Sequence, residues 1–462
     1  MNCGASLSTD PEKTEKSARR PVVWAAIIGG TVLLIALVAL VFFLLFPRAN
    51  GDITIDPAKG STMTLADGAQ LLLLPEGLSG RLRLRQPQTI PADQFRAENL
   101  KDDPALTSAA EQIPSILSLQ SQVYRFEIED GSMPTKVQFS LPLVAVANSP
   151  HSLDLYAWEE SGWQWIPAHV DGQSRLVADL ESLPQALALF KREPVEPIIT
   201  AEISGGETLP AEAEQVVTEL LVTGFTVQGD GSIENNPNLS NTGYRAMLIP
   251  SLRNWHDDGR LTAAVGEILA DPARRQRHRE AIVGLALAGG YRGVQLDYRQ
   301  LDPTHRQLFS TFVVELAIAL HAQERFLIVR VDPPIRIAET RWATGAYDWA
   351  AITQAADRLQ VPLPTIPTDL AEGKAEIMLS WAVGQVSRSK LEPIVSLEHL
   401  DSSNFGPIPD TLAHLGPLQL SEAVDSLSVG DSVRFSLANL GDGTIEIDPA
   451  TGMLHLADPD QT

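Results

Sequence analysis

Hydrophobic and polar positions change rhythm three times along this chain, and each change marks a boundary. From Val22 to Phe46 no charged residue interrupts the apolar run, and Pro21 and Pro47 bracket it. About 25 such residues are enough to cross a bilayer as one helix. A cleaved leader has a shorter apolar core and a small-residue cleavage site, so the pattern predicts a transmembrane helix over 22–46, with a buried core helix as the alternative. Lys13, Lys16, Arg19 and Arg20 precede the block and only Arg48 stands close behind it. The bias of basic residues therefore puts 1–21 in the cytoplasm and the bulk of the chain outside, as a single-pass protein of the cell membrane.

Beyond a linker over 47–62, apolar residues recur with period two in short runs. These are Ala69–Leu74, Leu82–Arg85, Val123–Ile128, Lys136–Leu141, Leu153–Trp158, Trp163–Ile166, Leu176–Leu180 and Ala186–Phe190. Short strands separated by turn residues predict an antiparallel β-sandwich over 63–192, with Asp103–Leu119 helical or irregular. Trp158, Trp163 and Trp165 suit either a sandwich core or a sugar-stacking platform, and the core is the better reading.

After Lys191–Pro197 the rhythm becomes strand, helix, strand, helix, as a parallel β/α barrel requires. Strands are expected at 198–203, 225–228, 246–252, 293–299, 326–331, 358–361 and 393–397, with helices at 210–221, 272–288, 303–321, 347–356 and 370–386. Asp271-Pro272 and Asp302-Pro303 are helix starts, a capping residue followed by a first-turn proline. Leu308, Phe312, Leu316 and Leu320 recur every four residues as one buried stripe. Seven strands are legible in a (β/α)8 plan over 193–405. Residues 406–462 carry β signals at 432–437, 444–447 and 453–456 and read as a β-rich insertion. The eighth strand is then expected beyond Thr462, leaving the barrel incomplete at its C-terminal side, unless the last strands form a separate domain.

The fourth strand holds the candidate chemistry. In Gly289-Gly-Tyr-Arg-Gly-Val-Gln-Leu-Asp-Tyr-Arg299, Val294, Leu296 and Tyr298 share one face and Gln295, Asp297 and Arg299 the other. The apolar face suits the helix layer and the polar face the mouth, where barrels bind ligands. This segment resembles the fourth strand of family 18 glycoside hydrolases, especially their spore-germination and cortex-lytic branch, which reads Asp-Gly-x-x-x-Asp-x-Glu. Asp297 matches the aspartate before the catalytic acid, Arg299 occupies the acid's place, and Gln295 stands where many members have another aspartate. The Asp230–Ile233 turn, the strand ending in Asn254, Arg306…Phe309…Phe312…Leu316 and Ala346-Tyr347-Asp348-Trp349 extend the resemblance over roughly 198–400. The sixth strand departs from it: Leu359–Pro364 replaces the family's Met-x-Tyr-Asp. Weaker likenesses link 67–77 to ZU5-type sandwiches and 2–7 to the tail of a bacterial zinc ribbon.

The resemblance implies a TIM barrel acting on N-acetylglucosamine-containing glycan, chitin or peptidoglycan, by substrate assistance. It also implies a lost acid. A guanidinium stays charged at any working pH, and a general acid contributes about a hundred- to ten-thousandfold. A cation about 5 Å from a developing oxocarbenium opposes it by about 3 kcal/mol at an effective dielectric near 20. Three readings follow: a glycan binder without turnover, a glycosidase with its acid relocated to Glu202, Asp332 or Glu398, and a non-catalytic scaffold. The candidate site is Asp297 and Arg299 with Asn254, Trp255, Gln295, Asp332 and Glu398 around them, and a plain structural Asp297–Arg299 ion pair is the competing view. Composition narrows the partners further. A net charge of -23 argues against nucleic acid, and the single Cys3 excludes an internal disulfide framework. His256, His305 and His399 lack metal-ligand spacing, and no cofactor is expected.

Overall fold

The computed structural model describes residues 52–143, 153–193, 198–203, 217–235, 237, 245–255, 264–338, 340–364 and 374–396, together with the backbone of strands Phe435–Ala438, Thr444–Ile447 and Leu454–Ala457. Val22–Phe46 lies outside them, and among the described residues no helix is long and apolar enough to cross a membrane.

Period-two patterning in the first half produces two facing antiparallel sheets. One runs 169–170, 175–180, 137–142, 70–73, 61–64 and the other 162–166, 153–159, 186–192, 123–125, 88–90. Leu71, Leu73, Phe139, Leu141 and Leu176 from the first interdigitate with Leu153, Leu155, Leu187 and Leu189 from the second. The second sheet is buried on its other face as well. There Tyr156, Trp158, Trp163 and Phe190 pack under helix Pro104–Glu111 through Leu106 and Ala109. This double covering explains why 153–158 is buried at every position instead of alternating. Trp163 donates its indole N–H to the Ala109 carbonyl at 2.8 Å, so it is core and carries no sugar platform. The expected strand over 123–128 divides in two, because 128–130 leaves this sheet for a small third one with 82–84 and 53–55.

The second half closes into a barrel of parallel strands. We number them β1 (Ile199–Ile203), β2 (Glu219–Val227), β3 (Met247–Arg253), β4 (Gly293–Asp297), β5 (Phe326–Arg330), β6 (Arg358–Pro362), β7 (Leu391–Ser396) and β8 (Phe435–Ala438). Each pairs with the next, and β8 pairs with β1. Helices α1 (Ala264–Ala270) and α2 (Pro272–Ala288) follow β3, α3 (Arg306–His321) follows β4, α4 (Trp349–Ala355) follows β5 and α5 (Lys374–Ala382) follows β6. Asp271 caps α2 by accepting from the Ala273 and Arg274 amides.

Three expectations are corrected. The barrel is not left open: Phe435–Ala438, read from sequence as part of an insertion, fills the place expected beyond Thr462. A strand that joins an edge at each side looks in sequence like any short β segment. Glu219–Leu221, expected as the end of a helix, is strand, because an apolar run buried on both faces has no period to read. The buried stripe of α3 is Phe309, Phe312, Val313, Leu316, Ala317 and Leu320, and Leu308 is only partly buried. A helix turns every 3.6 residues, so a four-residue repeat drifts off the core face. Each aromatic so buried contributes about 2–3 kcal/mol.

Sandwich and barrel meet at the barrel's N-terminal rim. Arg388, just before β7, places its Nε 3.0 Å from both carboxylate oxygens of Asp154, and both side chains are buried. Gly384 lies so close that a Cβ there would stand 2.5 Å from the Ala168 carbonyl. The mouth therefore opens at the end opposite the sandwich.

Candidate functional site at the barrel mouth

Strand register decides what surrounds Asp297. In the parallel ladder Arg253 of β3 and Arg330 of β5 are its lateral neighbours. Arg299, two residues on, turns back toward the same carboxylate. Arg299 donates Nε to Oδ1 and Nη2 to Oδ2, each at 2.9 Å. Arg330 adds a third bond to Oδ1 at 2.9 Å, Trp255 gives its indole N–H to Oδ2 at 3.2 Å, and Arg253 Nε lies 3.8 Å away. Burial pushes the Asp297 carboxyl up, but the charges of Arg330, Arg299 and Arg253 and the Arg299 hydrogen bond overcome this and hold it at about 2. Arg253 also pairs with Glu202 at 2.6 Å. Its guanidinium carbon and that of Arg299 lie 4.1 and 3.8 Å from the Trp255 ring centre. The ring is thus engaged by cations.

The backbone carrying Arg299 is fixed from several sides. Asn254 accepts from the Arg299 amide at 2.8 Å and donates to its carbonyl at 2.9 Å. Asp332 accepts from the amide of Gln300, whose φ of 53° lies in the left-handed region, and Tyr347 donates to the Tyr298 carbonyl at 2.6 Å. Behind the strand, Tyr298 meets His278 through its hydroxyl, and the other ring nitrogen of His278 lies 2.8 Å from the Gly231 carbonyl. Burial lowers the His278 pKa to about 4, against the pull of that carbonyl, so at neutral pH the ring is uncharged. It then donates to Gly231 and accepts from Tyr298.

One layer deeper the interior is polar. Gln295 bonds to Gln360, and Gln360 donates to Glu392 at 2.9 Å. Arg358 spans Glu219 and Glu392, and Thr200 donates to Glu219 at 3.1 Å. All of these side chains are buried.

The candidate residues divide accordingly. Asp297, Arg299 and Trp255 come together. Asn254 and Asp332 are placed to hold the Arg299 loop, and Gln295 belongs to the deeper network and not to the mouth surface. Glu398, His256 and His399 lie outside the described residues. His305 ends the short turn before α3, with its ring against Gly266 of α1. Sequence reasoning passed over Arg253 and Arg330, which looked like the ends of apolar runs. The usable signal was that each falls at the inward parity of its strand. Among the described residues no three His, Cys, Asp or Glu side chains group as a metal set.

No family model matches the sequence, and no curated protein does. Solved structures with a similar course include the spore cortex-lytic enzymes SleL of Bacillus cereus and Bacillus megaterium QM B1551. The first is 14% identical with a TM-score of 0.41, covering 56% of this chain and 75% of that one. The second is 16% identical with a TM-score of 0.40, covering 55% and 73%. A chitinase from Chromobacterium violaceum ATCC 12472 is 21% identical with a TM-score of 0.38, covering 43% and 68%. Similarity at this level assigns no role to any residue of this chain.

Proposed function

We propose that this chain binds a glycan at the barrel mouth and does not hydrolyse it. The observation that carries the reading is the paired Arg299–Asp297 contact, with both oxygens of Asp297 engaged. In the hydrolases that the fourth strand resembles, the matching aspartate orients the substrate's acetamido group, and the next inward residue must give up a proton. Here the aspartate is locked among cations and the next inward side chain holds a permanent charge. Of the alternatives for a relocated acid, Glu202 is tied to Arg253 at 2.6 Å and Asp332 accepts from the Gln300 amide. The reading includes an anchor, with Val22–Phe46 crossing the cell membrane and the barrel outside.

The test uses the detergent-purified full chain with N-acetylglucosamine oligomers and peptidoglycan fragments, following binding by calorimetry and products by mass spectrometry. Saturable binding without products is expected. Products that disappear in Asp297→Ala would establish the glycosidase instead, and absence of both would leave a scaffold. Arg299→Glu tests the acid position directly, since a gain of hydrolysis would mean that only the proton donor is missing. Protease digestion of intact cells should remove the barrel and spare residues 1–21.

A further inference from the structure

The sandwich is threaded lengthwise. In its second sheet Leu153 pairs with Lys191 at one end, while Trp158 and Arg125 pair with Ala186 at the other. Strand 128–130 runs on past Arg125 and pairs with 82–84, which pairs in turn with Ile53–Ile55. The chain therefore enters at the Ala186 end. It leaves at the Lys191 end, through Arg192 toward the start of β1 at Ile199. The barrel sits on that exit end, because Asp154, next to Leu153, holds Arg388, and Ala168 meets Gly384. Entry, seam and mouth thus follow one another along the molecule, with a buried ion pair fixing the joint.

Dimensions follow from the elements. The strand Ala186–Arg192 spans about 20 Å of sandwich, and the 17 residues of α2 give the barrel wall about 25 Å. The mouth therefore stands on the order of 40 Å from the chain's entry. From Phe46 to Asp52 the chain reaches at most about 20 Å, so an anchor at 22–46 ties the entry end, and not the mouth, to the bilayer. A net charge of -23 also opposes lying flat on anionic lipid. We infer that the sandwich is a fixed spacer that turns the mouth away from the membrane. Its target is then polymeric glycan lying tens of ångströms out, and not a lipid-linked sugar at the bilayer surface. This rests on the anchor and the glycan proposed above and narrows them to one class of target.

The test uses the full chain in lipid vesicles, with Cys3→Ser removing the single native cysteine. A fluorescent donor is attached from outside through one of three substitutions at exposed positions. These are Met133→Cys beyond strand 128–130, Leu287→Cys at the sandwich end of α2, and Ile335→Cys in the hairpin that follows β5. Energy transfer to acceptor headgroups should fall in that order, by about twofold or more overall. Equal or reversed transfer would overturn the spacer, and no transfer from any position would remove the anchor and this inference with it. Binding is then compared between a soluble N-acetylglucosamine tetramer and the same tetramer carried on a lipid in the same vesicles. The lipid-borne form should bind no more tightly. An advantage of about tenfold or more, as confinement beside a reachable mouth would give, would overturn the assigned target. Binding of neither form would remove the glycan reading and the target with it, while the transfer gradient still decides the orientation.

Discussion

Asp297→Asn removes a carboxylate that Arg253, Arg299 and Arg330 share, and its cost can be worked from the geometry. Depression of the carboxyl from 3.8 to about 2 is linked to roughly 2 kcal/mol of stability. The folded pKa lies below the unfolded one. That contribution is therefore complete above about pH 4.5 and drains away as pH falls through 2, with roughly half of it gone at pH 3. Substitution costs more than protonation, because Arg253, Arg299 and Arg330 remain close together with a neutral amide between them. Removing one partner of a buried ion pair costs about 3–5 kcal/mol. Urea unfolding followed by tryptophan fluorescence should show a loss in that range at pH 7. The variant should also lack the wild-type decline between pH 4.5 and 3 that belongs to this group. A loss under about 1 kcal/mol with unchanged acid dependence would mean that the carboxylate is not the hub of the cluster.

Other consequences can be measured alongside. His278 is buried and neutral with a pKa near 4, below its unfolded value of 6.5, so stability is full above 6.5 and about 2 kcal/mol should be lost by pH 5. His278→Gln should flatten that slope, and an unchanged slope would place the titration elsewhere. Arg388→Ala strands the buried Asp154 carboxylate and should cost about 3–5 kcal/mol. A cycle with Asp154→Asn should show coupling above about 1 kcal/mol, whereas additive effects would contradict a shared seam. Gly384→Val drives a side chain into the Ala168 carbonyl and should cost about 1–3 kcal/mol by calorimetry. A neutral result would mean that sandwich and barrel do not meet there.

Local pattern alone predicted the change from antiparallel to parallel architecture, because periods of 2 and 3.6 and proline-marked helix starts are written residue by residue. It also assigned the two faces of the Gly293–Asp297 strand, since alternation needs no partner. Three things depended on long-range pairing. Closure of the barrel by Phe435–Ala438 requires two strands far away in sequence to meet it. The arginines around Asp297 come from the register of three parallel strands, in which Arg253 and Arg330 align with it across separations of 44 and 33 residues. Asn254 changes from a possible ligand contact into a clamp on the Arg299 peptide because the two strands end level, at the paired Arg253 and Asp297, and leave it beside that peptide. A sequence states which residues carry charge, but only the ladder of backbone hydrogen bonds states which charges become neighbours, and in this mouth that neighbourhood fixes the chemistry.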